Sequence, residues 1–215
     1  MVALDLDGTL VDSGRDLAEA VNRALETLGT APLALPHLVT MIGNGFDTLI
    51  ARALRASLER EPARGEIAQC RDLALVCYEQ RLVAHSALYP GVAAALAGLR
   101  ASGVLLCCVT NKYARLSLPL LRALDLERWF DCVLCAEHAW QRKPSPALLT
   151  ELCQLTGTPP ARVLMVGDTC DDIAAARAAG CRVAAVTYGY NAPPRLMDAA
   201  PDALLDSLEA LFLPA

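Results

Sequence analysis

Three aspartates, Asp5, Asp7 and Asp12, fall within eight positions of one another near the start of the chain, in Ala-Leu-Asp-Leu-Asp-Gly-Thr-Leu-Val-Asp-Ser. Alternation along a strand sends Asp5 and Asp7 to one side, and Gly8 lets the backbone turn away sharply behind them. Polar residues also close later apolar runs: Thr110 and Asn111, then Asp168 and Thr169, with Asp171 and Asp172 just beyond. Three or more carboxylates in one crevice repel and raise one another's pKa unless a cation lies among them. Oxygen donors with no His or Cys nearby favour Mg²⁺ over zinc, and Mg²⁺ commonly keeps one or two carboxylates, waters and substrate phosphate oxygens. A small phosphorylated metabolite is therefore the expected partner. Thr110, Asn111, Lys143 and the backbone N–H groups that follow Asp7, at Gly8 and Thr9, are candidates to hold its phosphate oxygens.

The elements that must position these groups alternate in type. Apolar runs of strand length occur at Met1 to Leu6, Gly103 to Asn111, Phe130 to Ala136, Arg162 to Asp168 and Arg182 to Gly189. Helical patterns lie between them at Val92 to Ala101, Ala114 to Leu124, Pro146 to Leu155 and Ile173 to Ala179, the last closed by Gly180. Alternating strands and helices imply a parallel sheet covered on both faces. One interval, from about Ser13 to Ser86, reads as helices only, at Asp16 to Leu28, Phe46 to Glu59 and Glu66 to Ala84, with Asp12-Ser13 as a helix cap. Residues 1–12 and 87–215 are thus expected to form a catalytic core and residues 13–86 a helical cap. Ligands of open α/β sheets bind beyond the carboxyl ends of the strands, so a unit inserted after the first strand is expected to act as a lid.

Composition removes several classes of function. A net charge of −5 leaves no basic surface for nucleic acid. No uncharged apolar run reaches the ~18 residues that span a bilayer, and no cationic leader precedes the first motif, so the cytoplasm is the expected location. The nine cysteines are odd in number and several sit in apolar runs, which reads as reduced core residues. Cys132-x-x-Cys135 falls along a strand, where core packing is expected and a redox pair is not. The Asp5 motif lacks the Gly and Glu positions of an EF-hand, and Gly-Asn-Gly-Phe-Asp-Thr, from Gly43, lacks the last glycine of a dinucleotide fingerprint. Neither a nucleophile elbow nor a Walker loop occurs.

The ordered set Asp-Leu-Asp-Gly-Thr-Leu, Thr110-Asn111, Lys143-Pro144 and Gly167-Asp168 with Asp172 resembles the haloacid dehalogenase superfamily of aspartate-nucleophile phosphatases. Ile42 to Gly45, Tyr89 to Val92, Thr110 to Lys112 and Thr187 to Asn191 are similar to stretches of bacterial 2-phosphoglycolate phosphatases. The resemblance implies a three-layer, Rossmann-like parallel-sheet core with an inserted all-helical cap. It implies that Asp5 is the nucleophile forming an aspartyl-phosphate, that Asp7 is the general acid and base, and that Thr110 and Lys143 steady the phosphoryl group. Mg²⁺ would be held by Asp5, the Asp7 carbonyl and Asp168, with Asp172 acting through water or orienting Lys143. Asn44 and Gly45 would reach the substrate from a cap loop, and Asn44, Arg15, Arg52 or Lys112 would meet its carboxylate. The chain departs from its near relatives at Tyr113, where Pro is common, and at Cys170-Asp171, where Arg-Asn is common. A Mg²⁺-dependent phosphatase acting on 2-phosphoglycolate is the leading expectation, a sugar-phosphate phosphatase or phosphomutase is the alternative, and a non-catalytic phospholigand-binding protein is the reading from another class. Oligomeric state is not legible.

Overall fold

The computed structural model describes residues 1–212 and divides into two compact units, Met1–Asp12 with Ala87 onward, and Ser13–Ser86. The first unit is built on strands β1 (Val2–Leu4), β4 (Leu106–Thr110), β5 (Cys132–Cys135), β6 (Leu164–Gly167), β7 (Arg182–Val186) and β8 (Ala203–Leu205), in the order β5-β4-β1-β6-β7-β8. Every pairing in this sheet is parallel, with Leu4 beside Cys108 on one side and Val166 on the other. Helices α5 (Val92–Ala101), α6 (Ala114–Ala123), α7 (Ala147–Thr156), α8 (Cys170–Ala179) and α9 (Pro193–Asp198) flank it. A separate antiparallel pair, β2 (Val11–Asp12) and β3 (Ala87–Leu88), joins the points where the chain leaves and re-enters this unit.

Strands buried on both faces explain the continuous apolar runs. Ala3, Cys107, Val109, Met165 and Val183 have almost no exposure and pack with Leu148, Leu152 and Ile173 from the helices. Burial also governs the thiols: it pushes Cys107 up to about 12 and Cys108 well above the ordinary value, keeping both protonated. The described cysteines are all free.

The helical unit contains α1 (Gly14–Thr27), α2 (Leu35–Val39), α3 (Phe46–Leu58) and α4 (Arg64–Gln80). Leu17, Val21, Leu25, Ile50, Leu54, Leu75 and Tyr78 are among its buried side chains. Helix α4 stops four residues before the expected end, because the chain must turn for His85 N and Ser86 N to donate to Asp16 Oδ2 at 3.0 and 2.8 Å. Ser86 Oγ adds a third bond to the same oxygen at 2.6 Å. Helix α2 is absent from the three helices expected in this interval; its five residues include a Pro in the first turn and only Leu38 buried, too short for a periodic signal. Ser13 occupies the N-cap of α1, as expected of the Asp12-Ser13 pair, though without a side-chain cap bond, while Asp12 lies in β2 and pairs with β3. No helix among the described residues is long and apolar enough to cross a membrane.

Candidate active site

The sheet order places β1 between β4 and β6, so three strand ends open side by side. Asp5 N donates to Val166 O at 2.9 Å, which extends the β1–β6 ladder by one residue and fixes Asp5 at its rim. Thr110 is the last residue of β4, and Asp168 follows β6. Helix α8 then begins on a capping box in which Asp172 Oδ2 accepts from Thr169 N at 3.0 Å and from Thr169 Oγ1 at 2.6 Å. That box starts α8 at Cys170, three residues before the apolar pattern does, and leaves Asp172 Oδ1 to face Lys143.

Lys143 is 3% exposed. Its Nζ lies 2.6 Å from Asp172 Oδ1, 2.8 Å from Asp5 Oδ1 and 3.0 Å from Val109 O, so the ammonium is surrounded by oxygens. Burial opposes its charge, but the facing carboxylates of Asp172 and Asp5 outweigh burial and hold it well above the ordinary lysine value. Asp5 moves the other way from a usual carboxylate: burial pushes it up to about 7, with Lys143 pulling down and Asp172 pushing further up. Burial, then Asp172 and Asp5, raise Asp168 well above its ordinary value.

Carboxylate oxygens of Asp5, Asp168 and Asp172 lie within 4.8 Å of one another, and all three residues are buried. Two of the three, Asp5 and Asp172, face the Lys143 ammonium, so one ammonium stands against three carboxylates. Asp5 Oδ1 is ion-paired to Lys143 off the hydrogen-bond direction and has no hydrogen-bond donor of its own. A crowded, all-oxygen set with an unsatisfied buried oxygen fits a hard cation, because such an ion relieves the repulsion that the protein's own donors leave.

Asp168 is steadied from three directions. Thr9 Oγ1 donates to its Oδ1 at 3.1 Å, and Tyr190 N donates to its Oδ2 at 2.8 Å. Gly8, at φ 87°, and Gly189 approach so closely that a Cβ on either would collide with the Asp168 carboxylate. The Thr9 side chain therefore holds a member of the acidic cluster: it is fully buried, and its hydroxyl proton is directed at Asp168, while the expectation for substrate phosphate concerned the Thr9 backbone N–H. Asn111, also expected on phosphate, clamps the Lys143 peptide instead, accepting from Lys143 N at 2.7 Å and donating to Lys143 O at 3.0 Å.

Asp7 meets the other lysine of the chain. Both its carboxylate oxygens meet Lys112 Nζ, at 2.9 and 3.0 Å, and its carboxylate stands outside the cluster of three. Toward a cation, the expectation for Asp7 concerned its backbone carbonyl. Thr110 is 2% exposed and its hydroxyl oxygen accepts from Lys112 N at 3.2 Å. Asn44 and Gly45 belong to the helical unit, where Gly43, Asn44 and Gly45 all have positive φ ahead of α3. Arg52 secures that loop through Asn44 Oδ1 at 2.7 Å and Met41 O at 2.9 Å. The contribution of Gly189 and Tyr190 was not foreseen; its signal was Thr-Tyr-Gly-Tyr-Asn directly after β7, the neighbour of β6 in the sheet.

Comparison with known proteins agrees with this arrangement. Residues 2–186 match the family described as haloacid dehalogenase-like hydrolase. A phosphoglycolate phosphatase of Nitrosospira multiformis is 41% identical over 207 residues, covering 96% of this chain and 91% of its own. Another, from Nitrosococcus oceani, is 36% identical over 208 residues, covering 97% and 92%. A crystal structure of a predicted phosphoglycolate phosphatase from Haemophilus somnus superposes with a TM-score of 0.91 at 35% identity, covering 98% of this chain and 95% of that one. With a parallel sheet, an acidic cluster at its strand ends and a match across 185 of 215 residues (2 to 186), the chain belongs to the haloacid dehalogenase-like hydrolases.

Proposed function

We propose that this protein is a Mg²⁺-dependent phosphoric monoester hydrolase whose substrate is 2-phosphoglycolate, cleaved to glycolate and phosphate. The reading rests on one observation above the others: a buried Asp5 paired with Lys143 beside Asp168 and Asp172, in a chain whose relatives at 36–41% identity are named phosphoglycolate phosphatase.

In this reading Asp5 attacks phosphorus through a carboxylate oxygen, and the bond from phosphorus to the glycolate oxygen breaks. Asp7 delivers its proton to the departing alkoxide, then takes a proton from the water that attacks the aspartyl-phosphate, so that Asp5 is regenerated and phosphate leaves. Lys143 offsets negative charge on Asp5 and the phosphoryl oxygens, and the Thr110 hydroxyl donates to one of those oxygens. Asp172 aims Lys143, and Asn111 holds the backbone that carries it. Asp5, Asp168 and the Asp7 carbonyl would hold Mg²⁺, which supplies positive charge against the substrate phosphate and the crowded carboxylates. A cytoplasmic location fits cysteines that form no disulfide among the described residues.

The test is kcat/KM for 2-phosphoglycolate against a panel of sugar phosphates, with and without Mg²⁺. A clear preference for 2-phosphoglycolate that requires Mg²⁺ is expected. Preference for a sugar phosphate overturns the substrate, and no turnover of any ester by folded, Mg²⁺-supplied protein overturns the enzyme.

A further inference from the structure

The chain has 19 basic residues, and all but two of them are arginine. The two lysines, Lys112 and Lys143, are both buried, 7% and 3% exposed, and both contact an aspartate of the opening motif. Among the described residues arginine, with His85 at Glu19, serves the solvent-facing ion pairs, which reserves the ammonium for places where its shape matters: a compact point charge in a space that a planar guanidinium fork does not fill. For Lys143 the need is plain, since its Nζ is already enclosed by Asp5, Asp172 and Val109 O. The mechanism proposed above leaves Lys112 without a task.

Lys112 is held as a fixed charge. Its N donates to Thr110 Oγ1 at 3.2 Å, its O accepts from Ser117 Oγ at 3.3 Å, and its Nζ meets both Asp7 oxygens almost equally, at 2.9 and 3.0 Å. Stabilising the fold is a poor reason to bury such a pair, because an apolar pair of similar volume commonly does as well or better. The substrate suggests a better one. Asp7 must touch the ester oxygen that it protonates, and in 2-phosphoglycolate a single methylene separates that oxygen from the carboxylate. A cation resting on the Asp7 carboxylate therefore lies where the substrate carboxylate arrives.

We infer that Lys112 is the specificity-determining residue that reads the substrate carboxylate, selecting phosphate esters that carry a carboxylate one carbon from the ester oxygen. This rests on the phosphoglycolate phosphatase reading and chooses among the basic residues that could have met that group. The same ammonium spans Asp7 and the substrate carboxylate, so recognition and alignment of the leaving oxygen against Asp7 are one event.

The test compares 2-phosphoglycolate with 2-hydroxyethyl phosphate, its neutral analogue of near-equal size. Lys112→Gln is expected to lower the ratio of kcat/KM for the two esters by about tenfold or more, the loss of one charge-assisted hydrogen bond. Parallel decline for both esters, leaving the ratio at its wild-type value, overturns the inference and reduces Lys112 to a support for Asp7. Wild-type protein without preference between the esters overturns the substrate reading, and this inference with it. Because Lys112→Gln also removes the ammonium that faces Asp7, the comparison is repeated as binding by calorimetry with Mg²⁺, in Asp7→Asn and in Asp7→Asn/Lys112→Gln, where neither charge remains. The second substitution should weaken 2-phosphoglycolate by about tenfold and hydroxyethyl phosphate far less; equal weakening of the two ligands refutes the assignment.

Discussion

Replacing Asp5 by asparagine should abolish turnover and yet make the metal-free protein more stable. Asp5 titrates near 7 in the folded protein against 3.8 for an ordinary aspartate. A carboxyl raised on folding ionises first in the unfolded chain, so its contribution to stability falls as pH rises from about 4 to about 7 and stays low above that. The difference of about three pH units, at about 1.36 kcal/mol each, costs the folded state about 4 kcal/mol at pH 8. Asparagine removes that cost but also removes a charge facing Lys143, which keeps Asp172 at 2.6 Å. Offsetting about half for the lost ion pair leaves a gain of about 2 kcal/mol, or about 4–8 °C in Tm for a chain of this length. The assay is thermal unfolding of wild type and Asp5→Asn in EDTA at pH 8 and pH 5. Near pH 5 the cost falls to about 2 kcal/mol, so the advantage should shrink to about 1 kcal/mol. An Asp5→Asn protein no more stable than wild type at pH 8, or an advantage that grows as pH falls, refutes the view that the acidic cluster is strained without a cation.

Thr9→Val keeps the shape of Thr9 and removes the donor to Asp168 Oδ1; the Mg²⁺ concentration for half-maximal activity should rise by about 10–100-fold, as for other lost partners of metal-holding groups, and an unchanged value contradicts the role given to Thr9. Asn111→Ala unpairs the N–H and C=O of Lys143, which should lower stability by about 1–3 kcal/mol in urea and reduce kcat more than it raises KM; a pure KM effect would return Asn111 to direct substrate binding. Ser86→Ala removes the hydroxyl donor to the buried Asp16 carboxylate, with an expected loss of about 1.5–3 kcal/mol by denaturant titration; a change below about 0.5 kcal/mol is the range of an ordinary surface substitution and contradicts the clasp.

Much of the sheet unit was legible because its strands are buried on both faces. Val2–Leu4, Leu106–Thr110, Leu164–Gly167 and Arg182–Val186 each read as an apolar run, and the polar residue ending three of them marks the site. Short edge elements gave no such signal: β8 has three residues with Leu204 exposed, and α9 opens on two prolines with Leu196 alone buried. Within the site, residue type was more legible than residue partner. Thr9 and Asn111 are both suited to phosphate, yet their partners are Asp168, 159 positions away, and Lys143, 32 positions away. Spacing along the chain carries no record of such contacts, because the sheet order β4-β1-β6 creates them. Lys112 was visible as a basic residue near the site; its pairing with Asp7, 105 positions earlier, was not.

The central claim is that phosphoryl transfer passes through the Asp5 carboxylate. Protein quenched in acid during turnover of 2-phosphoglycolate with Mg²⁺, treated with borohydride and digested, should yield a peptide in which residue 5 has become homoserine, the reduction product of an aspartyl-phosphate. The same treatment without substrate should leave Asp5 intact. Active protein that turns over in the quench yet yields no homoserine at position 5, or carries its phosphoryl group on another side chain, contradicts the account.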